Sequence, residues 1–430
     1  MLRPREESEL EQVEDALIDG DVAYQRGTAQ AALRHSNFRR VYFGVFASNI
    51  GTWMQNVVLT AYALRLTGSG AYASLIFFAQ LGPLLFLSLW GGMLADVVDR
   101  RRFLVSAQVA QGVGSFALAA VVLQNDPSRV LLVAIVFAIG IANAIGAPGL
   151  SAILPTLVPR EDLAGAVALA SVQMNLSRVI GPAIGGIVYA RFGAGWVFFV
   201  NALTYAFAVV GLLWARYARR ANANIAERGW RRLLSGVRIA RRDPLLSHVL
   251  ITLFTFSFFC LAFVGIMPQI ATHNLGMDTK SLEYGLLYAC FGLGAALGAT
   301  TVGTVFASRN KANLLRPGFF AFAAVLAGFA LLQSPGPAFP VVALLGYVYF
   351  VVITCLSTVL QERLDDTQRG RVMALWIMGF GGTVPVGVLV AGPFSTHFTT
   401  AVLLVGVVWA CVLAVWSNAR TMQRKAAFHA

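Results

Sequence analysis

Apolar runs of about twenty residues alternate along the chain with short polar connections. In order they fall at 41–65, 72–95, 103–124, 130–147, 163–190, 195–215, 246–270, 283–306, 314–333, 339–361, 372–391 and 398–417. A helix of that length, with few charges, is what crossing the hydrocarbon core of a bilayer requires. The pattern therefore predicts an all-α membrane protein with twelve transmembrane helices. Three stretches break the alternation. Residues 1–33 are polar and hold eight Asp or Glu from Glu6 to Asp21, which reads as a disordered acidic tail. That tail lacks the basic start and apolar centre of a cleaved signal peptide. Residues 217–244 form the longest connection, and residues 421–430 form a second tail.

Within the long connection, GWRRLLSGVRIARRD (229–243) places Trp230, Leu233, Leu234, Val237 and Ile239 broadly on one helical face among arginines. Such a segment is expected to lie as an amphipathic helix on an anionic membrane surface. The chain also repeats itself weakly across this linker. A shift of about 206 residues puts Ala168 and Leu169 on Ala374 and Leu375, Gly181 on Gly387 and Gly186 on Gly392, the mark of parallel repeats about an axis normal to the membrane. The expected organisation is a six-helix bundle at 34–216, the linker at 217–244 and a second six-helix bundle at 245–420.

Composition agrees: 57% of the 430 residues are hydrophobic and 12% charged, against roughly 25% charged in a soluble domain. The net charge of +13 would suggest nucleic acid if it were spread evenly. Its distribution says otherwise. With a cytoplasmic N-terminus, 28 Lys and Arg fall in inside segments and tails, and only Arg65, Arg129, Arg191 and Lys280 fall outside. That asymmetry is the positive-inside pattern, and it places both termini in the cytoplasm. No nucleic-acid partner is needed. The cysteines (Cys260, Cys290, Cys355, Cys411) lie singly inside apolar runs, so neither a disulfide framework nor a zinc site is indicated.

One loop carries a recognisable signature. GGMLADVVDRRR (91–102) joins the second and third runs and resembles the loop motif of the major facilitator superfamily. Gly92, Asp96, Arg100 and Arg101 fall on that motif; Val97 replaces a usual basic residue and Asp99 a usual Gly. The resemblance implies that Asp96 faces the N-terminus of the eleventh helix near Gly370–Val372, where the helix dipole favours an anion. Together these four residues would form a conformational gate locking the bundles on the cytoplasmic side. FASRNK (306–311) is an attenuated copy that keeps Arg309 and Lys311 without the acid. NLSRVIGPAIGG (175–186) resembles the Gly-Pro signature of exporters in the superfamily. There Gly181, Gly185 and Gly186 allow close helix approach and Pro182 bends the span. NFRRVYFGVFASNIGTWMQ (37–55) and QRGRVMAL (368–375) resemble the branch of enterobactin exporters and macrolide efflux proteins.

Arg178 is the most informative single residue. A charge at the middle of a span costs about 2.5–3.5 kcal/mol on insertion scales, and no Asp or Glu lies deep in any run to neutralise it. Ser171, Asn175, Arg178 and Pro182 share one helical face, so Arg178 is expected to point into a polar cavity. Either an anionic substrate group or carbonyls freed at Pro182 would satisfy it. The first run carries a polar stripe of Asn49, Thr52, Asn56 and Thr60. The family's fold implies that the first, fourth, seventh and tenth helices line the cavity. Asn143, Tyr347 and Thr354 join the expected lining, with Thr252 and Thr255 beside them. Phe256, Phe259, Tyr288 and Trp376 are candidates for its aromatic part. No G-x-x-x-x-G-K-[ST], H-E-x-x-H or Ser-His-Asp constellation is present, so the chain reads as no enzyme and needs no cofactor or metal.

The resemblance implies a monomeric secondary transporter of a bacterial inner membrane. It would export a small siderophore-like or drug-like molecule by alternating access, with protons as the coupling ion and the lipid bilayer as its surroundings. An importer or facilitator of the same fold, or a membrane sensor that transports nothing, are the alternatives.

Overall fold

The computed structural model describes residues 26–87, 98–215 and 230–418. They form helices and turns, with no strand among the described residues. Twelve segments run the length of the molecule. The first six are α1 (Ser36–Thr67), α2 (Gly70–Leu87), α3 (Arg100–Val122), α4 (Arg129–Leu157), α5 (Leu163–Phe192) and α6 (Ala194–Trp214). The last six begin with α7, which is interrupted: Pro244–Thr255, a π turn at Phe256–Cys260, short pieces at Ala262–Gly265 and Met267–Gln269, and a second π turn at Ile270–Asn274. After it come α8 (Leu282–Gly303), α9 (Lys311–Leu331) and α10 (Pro335–Glu362). In α11, Asp366–Ile377 and Thr383–Ser395 flank a π turn at Met378–Gly382, and α12 is Thr399–Trp416. Among the described residues, eleven of the twelve are long and apolar enough to cross a membrane by length and composition. The exception is α1, whose Asn49, Thr52, Gln55, Asn56 and Thr60 dilute its apolar character.

Helix ends are set by local chemistry. Ser69, Ser128 and Ser281 accept hydrogen bonds from the N–H groups of Tyr72, Leu131 and Tyr284 at the starts of α2, α4 and α8. Asp99, the departure from the loop motif, caps α3 by accepting from Arg102 N–H at 2.9 Å. Gly68 ends α1 in the left-handed region (φ 64°). Lys311 closes the end of α8 by donating to the carbonyls of Phe306, Ala307 and Arg309 at 2.7–2.9 Å. Asp243 caps α7, accepting from Leu245 and Leu246 N–H and pairing with Arg363 at the end of α10 at 2.9 Å.

Helices α1–α6 pack among themselves, as do α7–α12, and the two groups meet at α2 with α11 and at α5 with α8. Glycines make both crossings possible. A Cβ on Gly392 of α11 would fall on the Ser74 side chain and the Gly70 carbonyl of α2; one on Gly186 of α5 would fall on the Gly285 backbone of α8. Gly181 and Gly185 turn instead to the Ile50–Met54 stretch of α1. Helix α5 continues through Pro182 from Leu163 to Phe192 without interruption.

The linker sequence forms a helix at Trp230–Arg242, packed on the start of α11, where Gly236 lies against the Arg371 carbonyl. Its Leu234 is exposed. Ahead of α1, the short helix Ala29–Arg34 packs on α5. It is pinned there by Asp162, which accepts from Gly27 N–H at 3.0 Å and contacts the His35 ring at 2.8 Å. These hydrogen bonds and the nearby positive charge of Arg26 hold the Asp162 carboxyl below its ordinary value, outweighing its partial burial.

Candidate functional site

A cavity of about 730 Å³ lies between the two groups of helices. It reaches from the middle of the spans to the arginine-rich end, where Phe38 and Tyr42 of α1, Leu104 of α3, Leu157 of α4 and Leu163 of α5 line it. At the opposite end the groups are joined: Arg65 at the end of α1 pairs with Asp278 of the α7–α8 connection, and Gly70 N–H donates to Thr396 at 3.0 Å. Among the described residues, one face is therefore open to the middle and the other sealed.

Arg178 lies on the cavity wall. Its guanidinium donates to the Asn175 side-chain oxygen at 3.3 Å and stands over two rings, Trp53 of α1 at 5.5 Å and Phe350 of α10 at 4.9 Å. Desolvated cation–ring contacts of this kind contribute about 2 kcal/mol, which offsets much of the burial cost of the charge. No Asp or Glu lines the cavity among the described residues. An anion entering it would meet an uncompensated guanidinium flanked by aromatic faces.

Asn49, Thr52, Asn143, Asn175 and Thr354 line the same cavity. Asn56, Thr60 and Tyr347 are not in its lining. Asn56 accepts a hydrogen bond from Gln80 of α2, and Thr60 is buried and donates to the Val57 carbonyl at 3.3 Å. The Tyr347 backbone abuts Gly294 and Gly298 of α8. Of the aromatic candidates, Trp376 lines the cavity beside Phe380, whereas Phe256 packs against Phe319 and Phe322. Of the gate residues, Gly92 and Asp96 lie outside the described residues. Arg101 donates to the Leu213 carbonyl, so it closes the end of α6 within its own group of helices.

The lining also holds residues that sequence reasoning passed over: Ser48, Gln108, Gln111, Gln173 and Tyr205. Thr52 and the Tyr205 hydroxyl are 3.0 Å apart, and Tyr205 donates to Gln111 at 3.3 Å. The available signal was the pair of glutamines one turn apart in the otherwise apolar run of α3.

This architecture, two groups of six helices around a central cavity open at one end, defines a transporter of the major facilitator fold. Solved structures with that likeness include the POT family transporter PepTSo (14% identity, TM-score 0.72, covering 91% of this chain and 99% of that one). Another is a bacterial homologue of the human lysosomal transporter Spinster in an inward-facing, unoccupied conformation (15%, TM-score 0.65, covering 91% and 98%). The family described as transmembrane secretion effector matches residues 27–427, and the chain belongs to it. Enterobactin exporters EntS of Shigella boydii serotype 18 and Escherichia coli O1:K1 are each 27% identical over 350 residues, covering 80% of this chain and 81% of theirs. The protein is a secondary transporter of a small molecule in the exporting direction, embedded in a membrane by many passes, and not an enzyme.

Proposed function

We propose that the chain exports an anionic, ring-bearing organic molecule from the cytoplasm across a bacterial inner membrane. Arg178 carries the reading: a guanidinium on the cavity wall, between Trp53 and Phe350, with no carboxylate in the lining among the described residues. The relatives are named for enterobactin, a catecholate siderophore, which fits that chemistry in kind; smaller aromatic acids and acidic drugs fit it too. The arginine-rich end faces the cytoplasm in this reading, by the positive-inside bias, so the open end of the cavity admits substrate from inside. The bundles at 34–216 and 245–420 rock about the central site, and the proton gradient drives the cycle, by likeness to the family.

The experiment is efflux from intact cells overexpressing the chain, loaded with catecholate siderophore, macrolide or cationic dye, with and without a protonophore. The expected result is protonophore-sensitive loss of the anionic compound. Loss of cationic dye alone would defeat the anion reading, and export indifferent to the protonophore would defeat proton coupling.

A further inference from the structure

The carboxamides of the first six helices divide into two sets. Some are engaged, whether on the cavity wall or away from it. Asn201 donates to Gln55 at 2.9 Å, Gln80 donates to Asn56, and Gln111 both donates to the Ala107 carbonyl and accepts from Tyr205. Four others line the cavity, each from a different helix: Asn49 of α1, Gln108 of α3, Asn143 of α4 and Gln173 of α5. Asn49, Asn143 and Gln173 have no hydrogen-bond partner among the described residues. Gln108 accepts one long bond from Ser48, at 3.5 Å, and its amide nitrogen has none. Yet Gln108 and Gln173 are each only 5% exposed. Buried polar groups are ordinarily hydrogen-bonded, and leaving them unpaired is costly. Here the four open carboxamides all lie on the wall of the cavity, where Gln111 and Asn175 are engaged.

The facing wall is different. From α8, α10 and α11 it presents Ala299, Phe350, Ile353, Trp376 and Phe380, with Thr354 and Ser357 its polar members. The carboxamides of the cavity therefore all belong to one bundle, among rings and aliphatic groups that both bundles supply.

We infer that the carboxamide wall is a second substrate subsite, built to read neutral amide groups of the exported molecule. The inference rests on the proposed export through this cavity and adds a substrate feature to it. A carboxamide offers two N–H donors and a carbonyl acceptor, so it pairs doubly with another amide and only partly with an ether or an alkyl chain. A cationic group would be repelled by Arg178 and would find no carboxylate in the lining among the described residues. The anionic group belongs to Arg178. The substrate class is thus an aromatic acid whose scaffold carries several amide bonds, with its rings on the α10–α11 side. A site that hydrogen-bonds substrate discriminates strongly against an analogue lacking those groups, because its own donors are then left unpaired.

The test uses two fluorescent probes of equal chain length, dansyl-tetraglycine and ω-(dansylamino)undecanoate. Both carry the same fluorophore and terminal carboxylate; one has amides where the other has methylenes. Each is titrated onto the full-length protein in nanodiscs, with empty nanodiscs as the blank. Gln108→Leu and Gln173→Leu are each expected to weaken dansyl-tetraglycine by roughly three- to tenfold, the range for one lost hydrogen bond. They should leave the undecanoate within about twofold, since no bond to it is lost. Gln108→Asn, which keeps a carboxamide, should retain the selectivity. Equal weakening of both probes, no weakening of either, or no saturable binding of dansyl-tetraglycine to the unaltered protein would overturn the subsite. Arg178→Ala separates the two readings: it should weaken both probes alike. If it weakens neither, the anion reading fails, while a selective effect of the glutamine variants would still uphold the amide subsite.

Discussion

Arg178 shows how much one residue of a membrane span discloses. Its charge has to be reconciled with a low-dielectric setting, and the structure does so with two aromatic faces and Asn175. The two rings belong to different bundles, Trp53 to the first and Phe350 to the second, so substrate reaching Arg178 touches both moving parts. Arg178→Ala is expected to reduce efflux of an anionic substrate by more than tenfold with the protein still reaching the membrane, checked by efflux assay and quantitative blot. Arg178→Lys should retain a fraction of the activity, because an ammonium keeps the charge but not the flat, stacking guanidinium. Full activity of either variant would remove Arg178 from the site. The neighbouring stripe shows where residue-level reading stops. Asn49, Thr52, Asn56 and Thr60 share one face of α1, and helical spacing cannot say how far along that face a cavity extends. It extends as far as Thr52, and the remaining two are taken up by Gln80 and by the helix itself. Gln108, Gln111 and Gln173 were illegible for the opposite reason. Helix α3 gave no expectation of facing the cavity, Gln173 lies off the Ser171–Asn175–Arg178 face of α5, and a buried glutamine is as readily a helix-to-helix hydrogen bond as a ligand contact.

At the scale of elements, the apolar runs located the helices well because length and hydropathy dominate in a bilayer. What they missed is where tertiary contacts override the local signal. Helix α4 runs to Leu157, beyond the apolar run and through Pro148 and Pro155, and the π turns of α7 and α11 have no periodic signature. The linker helix is amphipathic as its sequence indicates, but it sits on the start of α11, with Asp243 and Arg363 joining the following turn to α10. Burial works to raise the Asp243 pKa, yet Arg363 and the N–H groups of Leu245 and Leu246 hold it below the ordinary 3.8. A carboxylate depressed in the folded state stabilises above its unfolded pKa and loses that contribution as pH falls through its folded one. Asp243→Ala should therefore cost roughly 2 kcal/mol at neutral pH. The difference from the unaltered protein should shrink only below about pH 4, followed by unfolding in detergent across pH. A constant difference down to pH 2 would show that the charge of Asp243 contributes nothing to it. Asp162, also held low, ties Gly27 and His35 to the start of α5 in the same manner. Asp162→Ala should release the Ala29–Arg34 helix and speed tryptic cleavage at Arg34 at least tenfold, corresponding to about 1.4 kcal/mol or more of lost docking.

For the whole molecule, alternating access requires the sealed end to open, and the contacts there differ in kind. The Arg65–Asp278 pair is exposed on both sides, 45% and 60%. Exposed pairs are worth about 0–1 kcal/mol, enough to shift a two-state balance about fivefold and no more. The glycine crossings are different, because a side chain placed at Gly186 or Gly392 would meet backbone or a short hydroxyl that cannot move aside. The α7 stretch before the Arg65–Asp278 end buries polar atoms that find no partner among the described residues, both side-chain ends of Gln269. Opening at that end would hydrate them, so they favour the opposite state, while the close helix packing favours this one. Gly186→Leu should therefore drive the molecule open at the Arg65 end, and Gln269→Leu should hold it shut. The readout is labelling of Thr60→Cys, at a position buried here, by an impermeant maleimide applied from the Arg65 side, after replacement of the native cysteines. Labelling should accelerate at least tenfold in Gly186→Leu, slow in Gln269→Leu, and change about fivefold or less in Asp278→Ala. If Asp278→Ala opened the molecule as fully as Gly186→Leu, the ion pair rather than the helix crossings would be the closure. If Gly186→Leu left Thr60→Cys unreactive, the α5–α8 crossing would not be part of the closure at all.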